Sequence, residues 1–429
     1  MNNIFIKLIL ILFILNSCTQ KNEVAILSNE QGSRLVVNGE DFIINGMNWD
    51  YYPIGTNFSY SLWEQPDVII KEALDAEMNL LKNMGVNTIR VYVGIQPKWI
   101  TYIYENYDIY TMLNHSFGRY GVSVKGNWIS VTDYRDVDTQ KALIEEVSEI
   151  SKAYKNTPGL LLFLLGNENN YGLFWAGGET EDFPENQKEI DLKGEKLGRP
   201  MYRLMNKAAK KIKSIDSKHP VAICNGDLGF IEIIAEECID VDIYGTNMYR
   251  GKSFTDAFKK VKATLNMPIL FTEFGADAFN AISHKEDQKM QAFYMLENWK
   301  EIYENVAGLG KSENSIGGFT FQFSDGWWKF GQTINLDKHD NDASWIGGGY
   351  DLDLIKDNKN MNEEWFGICA KGSTNEKGLY TLYPRAAYYA LKEAHKLNPY
   401  SKEVTLDLIS KHFSKINISD VFFKLTQKQ

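Results

Sequence analysis

The sequence predicts an α/β protein: a single (β/α)8 TIM barrel with an N-terminal β-hairpin and long loops on one face. Strand-like and helix-like segments alternate over about 350 residues, which is typical of repeated βα units. The apolar run 160–165 is flanked by glycine and proline and ends in a polar triplet. A second run, 267–272, is followed by Glu273. Near-continuous apolar runs of this kind are typical of parallel strands that are buried on both faces.

Eight barrel strands are expected from short β-rich segments between the helical patterns. They are placed at 42–49, 88–93, 109–113, 160–165, 221–224, 241–246, 269–272 and 319–323. The intervening helices are expected where apolar residues recur at helical spacing, as at Leu143, Val147 and Ile150. Those helices are 72–84, 139–154, 201–215, 254–265, 286–303 and 384–396.

The chain ends lie outside the predicted barrel domain, which spans 32–400. Residues 1–17 have the short apolar core of a signal peptide, and Leu15-Asn-Ser-Cys18 resembles a bacterial lipobox. We therefore expect an exported lipoprotein, anchored to a membrane through Cys18 and facing the periplasm or cell surface. Residues 18–31 are polar and predict a tether, whereas 401–429 form a C-terminal extension without an assigned role.

The hairpin at the start of the domain is predicted around Asn38-Gly39, a dipeptide typical of tight turns between strands. It is expected to cover the bottom of the barrel and continue into the first barrel strand. Three long connections, 114–138, 169–200 and 324–377, follow predicted strands three, four and eight. They are therefore expected on the face where barrel active sites form.

Composition excludes several function classes. The formal net charge of −10 argues against nucleic acid or an anionic lipid surface as partner, so the membrane is expected to be reached only through the anchor. The irregularly spaced cysteines predict neither a disulfide framework nor a metal site. The acidic residues and histidine in 337–342 lack the spacing of a calcium loop, and no phosphate-binding glycine loop is present. No cofactor or metal is expected.

Glu168 and Glu273 are the candidate catalytic residues because each follows or ends a strongly apolar strand. Glycoside hydrolysis requires two carboxyl groups, one that donates a proton and one that attacks or stabilises the sugar. The spacing of these two residues places them on strands four and seven, at the same end of the barrel.

Gly166-Asn167-Glu168 and Thr272-Glu273-Phe274-Gly275 resemble the strand-four and strand-seven motifs of the retaining clan A glycoside hydrolases, which include families two and five. The resemblance covers residues from about 40 to 395. It implies that Glu168 is the acid/base, that Glu273 is the nucleophile and that Asn167 holds the sugar 2-hydroxyl. It also implies that Arg90 keeps Glu273 ionised and that Tyr249 donates a hydrogen bond to it.

Further residues at strand ends are candidates for sugar binding. A stacking tryptophan is common after strand eight in this clan, and the polar residues can bond to hydroxyl groups. These candidates are Trp327, Asn247, Asp50 and His115.

The resemblance implies a carbohydrate substrate with β-linkages and a retaining double displacement. A transglycosylase, which passes the sugar to another sugar, would use the same glutamates. A non-catalytic glycan-binding surface lipoprotein is the alternative from another class. The sequence leaves the sugar, the linkage and the oligomeric state open.

Overall fold

The computed structural model describes residues 23–92, 94–174 and 186–422. Eight parallel strands form a closed barrel and follow one another around it in chain order, with the last pairing to the first. The barrel strands are β4 (Ile44–Asn48), β5 (Thr88–Val91), β6 (Tyr110–His115), β9 (Leu160–Leu165), β10 (Val221–Gly226), β11 (Ile243–Asn247), β12 (Ile269–Phe274) and β15 (Ser315–Thr320). The predicted (β/α)8 barrel is confirmed.

Helices connect the barrel strands and cover them from outside. They are α1 (Asp67–Met84), α2 (Pro97–Tyr107), α3 (Val137–Tyr154), α4 (Gln187–Lys193), α5 (Arg199–Ile215), α6 (Ile231–Glu237), α7 (Ala257–Leu265), α8 (Gln288–Glu304), α9 (Ala386–Ala394) and α10 (Leu406–Ser414). α10 lies in the predicted C-terminal extension and packs its Phe413 ring against Tyr303 of α8. This part of the extension therefore belongs to the helical layer.

A three-stranded antiparallel sheet precedes the barrel and comprises β1 (Val24–Asn29), β2 (Gly32–Val37) and β3 (Glu40–Phe42). Asn38 and Gly39 join β2 to β3 with positive φ angles of 52° and 93°, which confirms the predicted turn. The prediction of a tether through residue 31 is wrong for 24–29. The apolar residues of that segment pair in register with β2.

This sheet packs against the end of the barrel opposite the polar strand tips. Val24, Leu35 and Val37 form one buried cluster with barrel residues that include Ile44 and Leu162. The cluster fills the lower part of the barrel with apolar side chains, as predicted for the hairpin. Burying this surface stabilises the barrel at about 25 cal/mol per Å² of apolar area.

The eighth barrel strand begins four residues before its predicted start. Ser315–Thr320 contains two glycines, which made the segment a poor strand candidate. A Cβ at Gly317 would lie 2.2 Å from the carbonyl oxygen of Ile44, and the φ of Gly317 is 117°. Glycine is therefore required here because the first and last strands approach closely.

The long loops carry short elements of their own. The loop after β6 contains the hairpin β7 (Val122–Val124) and β8 (Asn127–Ile129), and a π-helical segment, Gly194–Gly198, precedes α5. The remaining short strands are β13 (Phe279–Asn280), β14 (Lys285–Glu286), β16 (Cys369–Thr374) and β17 (Tyr380–Pro384). Within residues 23–92, 94–174 and 186–422, no helix has the length and apolarity needed to cross a membrane. The predicted signal peptide and Cys18 lie outside the described residues.

Candidate active site

The two predicted catalytic carboxyl groups come from the same end of the barrel. Glu273 is the fifth residue of β12, and Glu168 lies three residues beyond the end of β9. In a parallel barrel the carboxyl ends of all strands meet at one mouth. Side chains that are 105 positions apart in sequence are thereby brought to a common cleft.

The turn that carries Glu168 has a left-handed backbone. Gly166 has a φ of 88° and Glu168 a φ of 56°, which is uncommon for a residue with a side chain. Buried Asn169 holds this turn, since its Oδ1 accepts the Asn167 N–H at 2.7 Å. Its Nδ2 donates to the carbonyl of Phe117 at 2.9 Å. Backbone strain of this kind is common at functional sites and persists only where the surroundings impose it.

Glu273 is buried and accepts hydrogen bonds from three side chains. Arg90 donates from Nη1 to Oε1 at 2.8 Å, and the Tyr92 hydroxyl donates to the same oxygen at 2.6 Å. The Tyr249 hydroxyl donates to Oε2 at 3.1 Å. One cation and two phenols thus stabilise a negative charge on this carboxylate.

Arg90 is fully buried and links the surroundings of both glutamates. Its Nη2 donates to Oδ1 of Asn167 at 2.8 Å and to Oδ1 of Asn114 at 2.7 Å. Nη1, which binds Glu273, also donates to the carbonyl of Thr272 at 3.2 Å. With its donors distributed in this way, the guanidinium fixes Asn167 and Glu273 relative to each other.

Glu168 has a different environment. Its Oε1 accepts a hydrogen bond from Asn247 Nδ2 at 3.0 Å, and the charges of Arg119 and Arg90 lower its pKa without offsetting the effect of burial. Burial, and then the charge of Glu273, raise the pKa of Glu168 to about 7. The carboxyl group can therefore hold a proton near neutral pH, as a general acid must.

Asn247 and Asn167 form an amide pair between the two glutamates. Asn247 Nδ2 donates to Oδ1 of Asn167 at 3.1 Å, and its own Oδ1 accepts from the Thr272 hydroxyl at 2.8 Å. These bonds fix which atom of each amide faces which partner. The Asn167 amide nitrogen is consequently directed towards the cleft as a donor.

Two tyrosines of this network were not among the predicted site residues. Tyr92 lies two positions after Arg90, so strand alternation places both side chains on the inner face. The spacing of two residues from Arg90 could therefore have identified Tyr92 as a site residue from the sequence. Tyr120 accepts a hydrogen bond from Asn167 Nδ2 at 2.7 Å through its hydroxyl. It arrives from the loop after β6, whose path has no comparable signature in the sequence.

Trp327 lies in a stack of three aromatic rings. Its ring is parallel to that of His339, with centroids 4.8 Å apart, and His339 stacks in turn on Trp365 at 3.9 Å. The three rings pack together within the loop that follows β15. His339 covers one face of the Trp327 ring, and the predicted role of Trp327 in sugar stacking stays a prediction.

His115 points away from the cleft. Its Nε2 lies 3.2 Å from Glu146 Oε2 of α3, on the outside of the barrel. Asn114, the preceding residue, points inwards and binds Arg90. Successive strand residues alternate between the two faces, which places His115 on the helical side. The prediction of a sugar-binding role is wrong for this geometry.

Asp50 follows β4 at the mouth of the barrel and is half-buried. Burial raises the pKa of its carboxyl, and the charges of Lys371 and Lys329 oppose this effect. Lys371 is buried and donates to the carbonyl of Tyr52 at 2.7 Å. Asp50 therefore belongs to a second charged group at the mouth, and its proposed role in sugar binding stays a prediction.

Comparison with solved structures gives the same fold. A family 2 β-galacturonidase from Eisenbergiella tayi aligns with 88% of this chain and 55% of its own, at 17% identity and a TM-score of 0.54. A β-glucuronidase from Bacteroides uniformis aligns with 89% of this chain and 38% of its own, at 14% identity and a TM-score of 0.53. The chain thus spans about half the length of these proteins or less.

No curated protein sequence matches the chain. A sequence profile described as "Glycosyl hydrolases family 2, TIM barrel domain" matches residues 29–306. That range includes β4 through β12 and both glutamates of the cleft. The chain belongs to glycosyl hydrolase family 2 through its TIM barrel domain.

Proposed function

We propose that this protein is a retaining glycoside hydrolase that cleaves β-linked glycosides or polysaccharides. The observation that carries the proposal is the unequal environment of the two carboxyl groups. Glu273 accepts hydrogen bonds from Arg90, Tyr92 and Tyr249, whereas the pKa of Glu168 is raised to about 7. A nucleophile must be ionised and a general acid must be protonated, and the two sites meet these needs separately.

In the first step, Glu273 attacks the anomeric carbon through one carboxylate oxygen. Glu168 transfers its proton to the glycosidic oxygen, the bond to the leaving group breaks, and a glycosyl ester forms on Glu273. The loss of negative charge from Glu273 weakens its pairing with Arg90. Charge on Glu168 appears at the same time, so the total charge of the pair stays constant.

In the second step, ionised Glu168 removes a proton from water, and the resulting nucleophile attacks the glycosyl ester. Glu273 leaves as a carboxylate and regains its full interaction with Arg90, Tyr92 and Tyr249. Two inversions give net retention of configuration. We expect the two carboxyl groups to lie about 5–5.5 Å apart, the separation of retaining enzymes.

Asn167 is the proposed contact for the sugar 2-hydroxyl. Its Oδ1 is occupied by Arg90 and Asn247, so the group left to face a sugar is the Nδ2 donor. Tyr120 accepts one of its hydrogens. The second hydrogen can bond to the 2-hydroxyl, an interaction that strengthens in the transition states of these reactions.

The experiment is a screen of aryl β-glycosides with the soluble domain from Asn22 onward. The panel includes glucosides, galactosides and mannosides, and also glucuronides and galacturonides because structural neighbours act on uronides. For a substrate that is cleaved, proton NMR of the first product should show the β-anomer. An initial α-anomer would contradict retention.

Membrane anchoring through Cys18 is a separate proposal. Metabolic labelling with a palmitate analogue in a bacterial host should label the full chain, and Cys18→Ser should abolish the label. Labelling of the Cys18→Ser variant would contradict this site of lipid attachment.

A further inference from the structure

The hairpin β7–β8 and the residues directly before and after it expose large apolar side chains beside the cleft. Tyr120 is 58% exposed and Trp128 is 67% exposed, and Ile129 and Val131 next to them are also exposed. Exposed aromatic rings on a loop next to a concave site are characteristic of binding surfaces rather than of packing.

The hairpin is continuous with the catalytic network. The Tyr120 hydroxyl accepts from Nδ2 of Asn167, the residue immediately before Glu168. The neighbouring Arg119 packs on the segment that follows Glu168, since a Cβ at Gly172 would lie 3.1 Å from Arg119 Cδ. The turn into β7 therefore touches the proton-donor loop both before and after the glutamate.

Trp128 is held in a defined position. A Cβ at Gly121 would lie 2.5 Å from Trp128 Cζ2, so the indole rests directly on the glycine backbone. Gly121 has a φ of 118°, which a residue with a side chain rarely adopts. The indole is thus supported by the chain on one side, while the residue as a whole remains 67% exposed.

The position of the hairpin relative to Glu168 determines what it can bind. A general acid protonates the glycosidic oxygen, so the leaving group lies on the side of the cleft where the acid stands. The apolar face of a pyranose ring packs well on an aromatic ring, because both are flat and present C–H groups or π electrons.

We propose that Tyr120 and Trp128 form leaving-group subsites for sugar residues, so that the substrates are β-linked oligosaccharides or polysaccharides. Tyr120 stands at the boundary with the reacting sugar, and Trp128 supports a sugar further along the leaving chain. This inference rests on the proposed function for the assignment of Glu168 as the acid.

In a transfer reaction, the same surface binds the acceptor sugar. Because the leaving sugar departs from these subsites, a sugar that attacks the glycosyl ester must enter through them. The yield of transfer products at high oligosaccharide concentration should therefore depend on Trp128, as the rate of oligosaccharide hydrolysis does.

The test compares two substrates of the sugar identified by the screen: its 4-nitrophenyl β-glycoside and its β-linked tetrasaccharide. Trp128→Ala should lower the ratio of kcat/KM for the tetrasaccharide to that for the aryl glycoside by about tenfold, the scale of one stacked ring. The control is Tyr389→Ala, which removes a 47% exposed ring from α9 on the outer layer. A ratio unchanged within twofold in Trp128→Ala, or lowered equally in Tyr389→Ala, would overturn the inference.

Binding of the tetrasaccharide to the Glu273→Ala protein, measured by calorimetry, separates this inference from the proposed function. Addition of Trp128→Ala to that protein should weaken binding about tenfold. If the protein binds the tetrasaccharide through Trp128 but the first product of wild-type cleavage is the α-anomer, the proposed retaining function fails and the binding surface stands. Binding that is independent of Trp128 would overturn the surface whatever the activity.

Discussion

The two glutamates of the cleft have the same side chain and opposite surroundings. Glu273 lies within a strand and binds a buried arginine and two phenol groups. Glu168 lies on a left-handed turn beyond a strand and binds one amide. The comparison teaches that the division between nucleophile and acid is set by neighbouring donors and by burial, since the carboxyl groups themselves are identical.

The largest effect is expected from removing the group that attacks the sugar. Glu273→Ala should lower kcat by at least about 10⁴-fold, because no covalent intermediate can form. Steady-state kinetics on the best aryl glycoside measures this. Circular dichroism should verify that the variant is folded, because the substitution leaves the buried Arg90 charge without its partner; activity within tenfold of wild type would contradict the assignment.

Glu168→Gln should lower kcat/KM by about 10²- to 10⁴-fold for substrates with poor leaving groups, because such groups must be protonated as they depart. The loss should be much smaller for a dinitrophenyl leaving group, which departs without protonation. In the wild-type protein kcat/KM should fall as pH rises above about 7, because Glu168 must be protonated for the first step. A pH profile of Glu168→Gln that keeps this alkaline limb would contradict the role.

Tyr92→Phe tests whether Glu273 depends on its phenol donors. Loss of a hydrogen bond to a charged group costs about 1.5–3 kcal/mol, so kcat/KM should fall by about 10- to 100-fold. Tyr102→Phe is the matched control, because it removes a phenol–carboxylate bond to Asp75 among the outer helices. Equal effects of the two substitutions on activity would indicate a general loss of stability instead.

The smallest effect is expected at His115, which binds Glu146 on the helical side of the barrel. Exposed or half-exposed ion pairs contribute about 0–1 kcal/mol. His115→Ala should therefore change kcat/KM by less than about threefold, and the same kinetic assay measures it. A loss of a hundredfold would show that the ring reaches the substrate.

The fold and the centre of the site could be predicted because they depend on regular periodicity. The pattern of apolar strands with polar tips identified both glutamates, and the geometry of a parallel barrel brings such tips together. Arg90, Asn167, Asn247 and Tyr249 could be found from motifs on the strands or directly after them, and all four lie in the observed network.

The loops could not be predicted to the same degree. The orientation of Trp327 depends on how the 54-residue connection 324–377 folds back, and its partner His339 lies twelve positions away. Tyr120 reaches Asn167 from a loop in which the glycines at 118 and 121 have positive φ angles. The eighth strand was predicted four residues too late because its glycines allow close packing between strands, which strand propensity does not describe.

The central claim is the division of labour between the two carboxyl groups, and chemical rescue tests it directly. Azide should restore activity to Glu273→Ala and yield the α-glycosyl azide, because it attacks the substrate from the face that the nucleophile has vacated. With Glu168→Ala and a good leaving group, azide should attack the glycosyl ester and yield the β-glycosyl azide. The opposite pair of anomers would reverse the two roles, and a β-azide from Glu273→Ala would contradict the account.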